Sequence, residues 1–242
     1  MSTAVTTPAR SVLIQEGLEI PLWIANLDDF RRWTHSEDFP EQGRIDYVDG
    51  RIEVDTMVED PFLYGTPKVE IARVIANRVK QQDLGDVFID ATRVACPAAG
   101  LSVEPDLIFV SHSSIKSGRV TLVDSPSGKP GSYIEILGPP DLVLEVVSNS
   151  SVQKDTVRLL DDYHKAGVPE YWLVDARAED QLSFAIWTWH ENGFEQSPTD
   201  QDGYQRSEVL NASYRFERTR RPDGRWTYDL LESTLHSLDP RP

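Results

Sequence analysis

The run Pro139-Pro140-Asp141-Leu142-Val143-Leu144-Glu145-Val146-Val147-Ser148 constrains the fold more than any other stretch of this 242-residue chain. From Leu142 to Val147 every residue is aliphatic except Glu145. A run of this kind, opened by prolines and rich in Val and Leu, reads as a central strand buried on both faces. An ionised carboxylate inside it needs a partner, because an unpaired buried charge is strongly unfavourable. A second acid, Asp106, opens the apolar stretch Leu107-Ile108-Phe109-Val110 and lies 39 residues before Glu145. Neighbouring strands presenting Asp106 and Glu145 at one edge make an oxygen-ligand site for a divalent cation.

The rest of the composition narrows the setting. The chain is long enough to bury a sizeable core, and 39% hydrophobic residues with 16 prolines fit a soluble globular protein rich in turns. A formal charge of −16 argues against general coating of nucleic acid but leaves room for a local basic groove. Its one cysteine, Cys96, excludes an intramolecular disulfide and points to a reducing compartment. That thiol lies in a strand-like stretch and reads as inert and buried. No apolar run approaches the ~20 residues of a membrane span. Met1 to Arg10 lacks the apolar core of a signal peptide. The expected location is cytoplasmic, with no membrane partner and no organic cofactor.

Along the chain, residues 1–18 read as poorly ordered, residues 19–190 as one domain, and residues 191–242 as its β-rich extension. Leu27 to Trp33 reads as a short helix capped by Asn26 or Asp28. Arg44–Val48 and Arg51–Val54, joined by Asp49-Gly50, form a hairpin. Residues 55–65 read as a loop carrying Glu59, Asp60 and Pro61. From Pro67 to about Gln82 the 3.6 period predicts a helix. Its apolar face is Val69, Ala72, Ile75, Ala76 and Val79, and its polar face is Glu70, Arg73, Asn77 and Lys80. Val87 to Ala95 reads as one strand, and residues 112–138 as two short strands around a turn-rich loop. A helix is expected from about Lys154 to Lys165, then the strand Glu170–Asp175. That order implies a parallel pair with a crossover. Ser148, Ser150 and Ser151 read as turn and capping residues. The histidines at 35, 112, 164, 190 and 236 show no metal-ligand spacing.

Three segments then carry a family resemblance: Glu104-Pro105-Asp106 with its strand, Pro140-Asp141 through Ser148, and Ala166-Gly167-Val168-Pro169-Glu170-Tyr171-Trp172. Together with the hairpin at Asp46-Tyr47-Val48-Asp49-Gly50, they resemble the Uma-two group of the PD-(D/E)XK nuclease superfamily over residues 40–190. The resemblance implies an α/β (α+β) restriction-endonuclease-like fold, a mixed sheet flanked by helices, with β-hairpin additions at both ends. It also implies a Mg²⁺ site, with Mn²⁺ as a substitute, at Asp106 and Glu145 with Val146 beside them. DNA and a second copy of the chain are the implied partners. The superfamily's lysine position falls here at Val147, and the lysine of this family falls at Leu159. Tyr64-Gly65-Thr66 stands where the family often has a histidine before the first helix. Lys154 is the nearest cation on the second helix and becomes the candidate catalytic lysine. Asp46 and Glu70 are possible additional acids.

Phosphodiester cleavage needs an activated water and charge stabilisation on the phosphoryl oxygens, which two carboxylates, a metal and a lysine supply together. A local basic border is expected from Lys154, Arg158 and Lys165 with Arg73, Arg78 or Lys80. The leading reading is a metal-dependent DNA endonuclease. The other is a degenerate nuclease fold kept as a nucleic-acid or protein interaction module.

Overall fold

The computed structural model describes residues 11–15, 17–40, 43–57 and 59–233. The expectation of disorder for residues 1–10 lies outside the described residues, as does His236. Within residues 11–18, expected to be poorly ordered, the described residues form strand: β1 (Ser11–Gln15) pairs antiparallel with β2 (Leu18–Pro21). Helix α1 (Leu27–Thr34) follows, with the Asn26 side chain accepting from the Asp29 N–H. Phe30 and Trp33 of α1 pack with Leu18, Ile45 and Tyr47 in a small core of their own. Ile45 and Tyr47 belong to β3 (Arg44–Val48), which pairs with β4 (Arg51–Asp55) across the expected Asp49-Gly50 turn.

Residues 55–65 are not all loop. Pro61–Gly65 coils into a π-helical turn, because the Asp60 carboxylate accepts from the N–H groups of Phe62 and Leu63. The turn leads into α2 (Thr66–Gln82). The stretch expected as a single strand splits into β5 (Gly85–Ile89) and β6 (Val94–Cys96), which belong to different sheets. Asp90 and Ala91 make the break, with φ of 20° and 49°. Left-handed backbone at two successive non-glycine residues cannot continue a strand.

Next come β7 (Leu101–Val103), β8 (Leu107–Ser111), the short helix α3 (His112–Ser117), β9 (Thr121–Asp124) and β10 (Tyr133–Leu137). Of residues 112–138, the two strands are as expected and α3 is additional. Gly138 then turns the chain at φ 104°, where a Cβ would sit 2.2 Å from the Arg119 carbonyl oxygen. Only glycine fits so close an approach. Strand β11 (Leu142–Val146) follows. A π-helical turn at Lys154–Arg158 and α4 (Leu159–Ala166) together fill the expected second helix. The described residues end in β12 (Glu170–Asp175), β13 (Ser183–His190), β14 (Gly193–Gln196), β15 (Gln205–Ser207), β16 (Ala212–Arg220) and β17 (Trp226–Ser233).

The central sheet runs β14-β13-β12-β11-β8-β5 and is mixed: β11 and β12 are parallel, and its other pairs antiparallel. A second six-stranded sheet, β4-β3-β7-β6-β10-β9, and the small sheet β15-β16-β17 complete the layers. The two-residue period of β8 and β11 divides their side chains between two cores. Leu107, Phe109, Leu142, Leu144 and Val146 pack with α2 and the small sheet. Ile108, Val110 and Val143 pack with α4 and the second sheet. This alternation decides where the two acids point.

Glu170, at the start of β12, is buried and receives the Trp172 indole N–H at 2.6 Å and the Glu208 and Val209 backbone N–H groups at 3.0 and 3.2 Å. It ties the small sheet to the central one. Burial lifts its carboxyl to about 6, against the pull of these donors. A folded-state value above the unfolded one makes this group's contribution complete below the unfolded pKa and lost as pH rises through about 6. Urea unfolding of the wild type should therefore lose about 2 kcal/mol between roughly pH 4 and 6 that the Glu170→Gln protein does not lose. Equal slopes in the two proteins would rule this out.

Candidate active site

Asp106 and Glu145 share a face of the central sheet. Asp106 has the parity of Ile108 and Val110, and Glu145 that of Val143. The antiparallel register pairs Leu144 with Leu107, so one further step sets Glu145 opposite Asp106. Asp106 Oδ2 accepts the Val146 N–H at 2.7 Å, which locks the two strand ends together. Both carboxylates are buried.

Three cations reach this edge from three different elements. Arg44, the first residue of β3, places its guanidinium 3.4 Å from Asp106 Oδ1, 3.1 Å from Glu145 Oε2 and 3.3 Å from Asp46 Oδ2. Lys68, in the first turn of α2, lies 3.0 Å from Asp106 Oδ1 and also pairs with Glu59. Lys154, in the π-helical turn before α4, is buried and donates to Asp46 Oδ2 at 3.0 Å. The Tyr163 hydroxyl of α4 donates to Glu145 Oε1 at 3.1 Å. Asp155 completes the set, accepting from the Ser151 hydroxyl.

Burial and charge compete at each of these groups. Burial pushes the Glu145 carboxyl well up, and Arg44 pulls it back only in part. Burial alone would also raise Asp46, but Arg44 and Lys154 outweigh it and hold that carboxyl below its ordinary value. Desolvation works to lower Arg44 and Lys154, and their acidic neighbours keep both raised and charged. Asp155 is lifted to about 6, chiefly by burial. The result is a cluster of four buried carboxyl groups, Asp46, Asp106, Glu145 and Asp155, set against the cations Arg44, Lys68 and Lys154.

The cluster floors a cleft. A cavity of about 500 Å³ is bordered by Arg44, Lys68, Asp90, Asp106 and Val146, with Glu59 and Ser148 at its walls. A smaller adjoining cavity of about 280 Å³ is bordered by Arg44, Asp46 and Lys154. Arg44 lines both, and Glu145 lies beneath it.

Of the residues expected from sequence, the structure brings together Asp106, Glu145, Val146, Asp46 and Lys154. Glu70 is excluded. It faces the opposite side of α2, pairs with Arg73 and accepts the Leu230 N–H of β17 at 3.1 Å, because the small sheet covers that flank. The Lys154 amine also points elsewhere than expected, towards Asp46. Leu159 and Val147 are fully buried apolar core. Of the expected basic border Lys80 stays exposed, while four other members are paired with acids: Arg158 with Glu53, Lys165 with Asp162, Arg73 with Glu70 and Arg78 with Glu232. Each of these four is neutralised by a neighbouring acid.

Arg44 and Lys68 are not among the residues expected from sequence, yet both carry a signal in it. Arg44 stands two residues before Asp46 and so shares its strand face. Lys68 stands three and seven residues before Ile71 and Ile75, on the buried stripe of α2 rather than its polar face.

A divalent cation fits this donor set in one respect and is limited in another. Among the described residues no group of three or more His, Cys, Asp or Glu gathers to hold a metal. What gathers is the Asp106–Glu145 pair, and it already converges on one cation, the Arg44 guanidinium. Mg²⁺ is commonly held by one or two carboxylates with waters completing its shell. The pair, with the Val146 carbonyl at the same strand end, matches that pattern.

Asp46 is buried and answers to two cations, Arg44 and the buried Lys154, so its neutralisation is costly. Asp46→Asn should lower unfolding free energy by about 3 kcal/mol in urea, the usual cost of stranding a buried charge, and adding Lys154→Met should recover part of the loss. Additive effects of the two changes would contradict the pairing.

Residues 27–226 match the family model Uma2, described as "Putative restriction endonuclease". Among solved structures, the chain resembles a crystal structure described as a "putative nuclease belonging to DUF820" from Anabaena variabilis. The two share 20% identity and a TM-score of 0.56, over 76% of this chain and 90% of the other. At that identity the likeness concerns the fold. No curated protein matches the chain.

Proposed function

The chain belongs to the Uma2 family, and from that premise we propose that it is a metal-dependent DNA endonuclease that hydrolyses phosphodiester bonds. The observation carrying the reading is the pairing of Asp106 and Glu145 on one cation at the floor of a cleft, with a lysine on either side. Asp106, Glu145 and the Val146 carbonyl would hold Mg²⁺, or Mn²⁺ in its place. When bound, the ion supplies a water acidic enough to attack near neutral pH and a positive charge against the phosphoryl oxygens.

The chain's own residues do the rest. The Val146 N–H fixes the orientation of the Asp106 carboxylate, and the Tyr163 hydroxyl fixes that of Glu145. Asp46 holds Lys154 charged at the edge of the smaller cavity. A protonated amine there offsets charge developing on a phosphate and cannot itself act as a base. Lys68, in the larger cavity, offers the same service from the other side. Cleavage of both DNA strands needs two such sites, so the reading includes a homodimer. The buried Cys96, its thiol lifted to about 12 chiefly by burial, suits a reducing, cytoplasmic setting. No helix among the described residues is long and apolar enough to cross a membrane.

One observation favours the second reading, a fold kept for interaction without catalysis. Arg44 and Lys68 already neutralise the acids that a metal would use, and the surface around the cleft carries Asp55, Glu59 and Asp90.

The two readings separate in one assay. Purified protein with Mg²⁺ or Mn²⁺ should nick or linearise supercoiled plasmid, and Glu145→Ala and Asp106→Asn should abolish it. Lys154→Met should slow cleavage by ~10²–10⁴-fold, the usual loss for an acid/base or charge-stabilising group. If the wild type leaves every DNA substrate intact with either metal, the interaction-module reading is the better one.

A further inference from the structure

Arg44 is bound unlike the other two cations of the cluster. Lys154 sits 3.0 Å from one Asp46 oxygen, and Lys68 makes short contacts to Asp106 at 3.0 Å and to Glu59 at 2.8 Å. Arg44 instead spreads over three carboxylates at 3.1–3.4 Å, and its buried Nε has no hydrogen-bond partner despite lying 3.3 Å from Asp46 Oδ2. Fork-to-fork pairs of arginine with carboxylate are normally shorter, ~2.7–2.9 Å, and bidentate. A guanidinium held at these distances is retained by the summed charge around it rather than by matched geometry. The strength of such an interaction belongs to the field, and any other cation placed there shares it.

The position allows exchange. Arg44 begins β3 directly after Gly43, and both residues line the larger cavity. Its side chain keeps 23% exposure, against 1% and 3% for the side chains of Glu145 and Asp106 beneath it. Arg44 therefore separates Glu145 from the two cavities it lines, while Asp106 borders the larger one directly.

We propose that Arg44 is the resident counter-ion of the Asp106–Glu145 pair and yields its place when a divalent cation binds, its head group passing into the cleft. Arg44 is a positioning residue here: it keeps the two buried carboxylates apart from each other's charge until the metal arrives. The inference rests on the metal-dependent reading above and deepens it. Its consequence is a metal affinity set partly by competition inside the protein.

Mn²⁺ titration of the full chain, followed by the electron-spin resonance of free Mn²⁺ and by thermal unfolding at pH 8, tests this without any assay of activity. Arg44→Met should bind Mn²⁺ at least tenfold more tightly than wild type. It should unfold at a lower temperature without metal and gain more from saturating Mn²⁺ than wild type does. Arg44→Lys, whose amine reaches fewer oxygens, should fold and show an intermediate affinity. If Arg44→Met folds only in the presence of Mn²⁺, that too supports exchange. Should Arg44→Met fail to fold under any condition, Arg44→Lys decides, and an affinity equal to or weaker than wild type overturns the proposal. Equal Mn²⁺ affinities in all three proteins sink the exchange alone. If no protein binds Mn²⁺, the metal-dependent reading falls and takes the proposal with it.

Discussion

The structure depends on keeping four carboxylates buried at one strand edge without letting their charges push the sheet apart. Asp46, Asp106, Glu145 and Asp155 are each at most 4% exposed. Three cations supplied by β3, α2 and the turn before α4 offset them, so the second sheet, the first long helix and the second helix are all pinned to the same point. Ion pairs of this kind are poor sources of net stability, since desolvation consumes most of the attraction. Their effect is specificity of assembly. A chain that mispacked any one of those elements would leave a buried charge without its partner.

This explains why the apolar layers are arranged as they are. Leu142, Leu144 and Val146 face one core while Val143 faces the other, so Glu145 can only emerge among Tyr163, Arg44 and the second sheet. Strand β8 obeys the same period, and Asp106 follows. The pairing of acids is thus a consequence of strand register, with the apolar residues doing the registering. Glu170 repeats the device on a smaller scale, where one buried carboxylate gathers the small sheet against β12.

Much of this was legible in the sequence, and the gaps have physical reasons. The Asp106–Glu145 pair could be read because each acid interrupts a run whose burial is obvious, and a buried acid demands company. Lys154 was legible by proximity to the Ser148–Ser151 turn, but not its attachment to Asp46, which lies 108 residues away. Arg44 escaped because its meaning is set by tertiary neighbours 62 and 101 residues distant. Glu70 misled for the opposite reason: the helix has two covered flanks, one against β5 and one against β17, where a single apolar stripe predicts one. The switch of sheets at Asp90-Ala91 left no trace, since neither residue type announces left-handed backbone as glycine does.

At the Asp106–Glu145 edge the proposed exchange sets Arg44 against a divalent metal. Anomalous diffraction from crystals of the protein grown with Mn²⁺ measures that directly. A single strong peak should lie between the Asp106 and Glu145 carboxylates beside the Val146 carbonyl, with the Arg44 head group moved out into the cleft. A peak elsewhere, or none with Arg44 still seated between the two acids, would contradict the exchange.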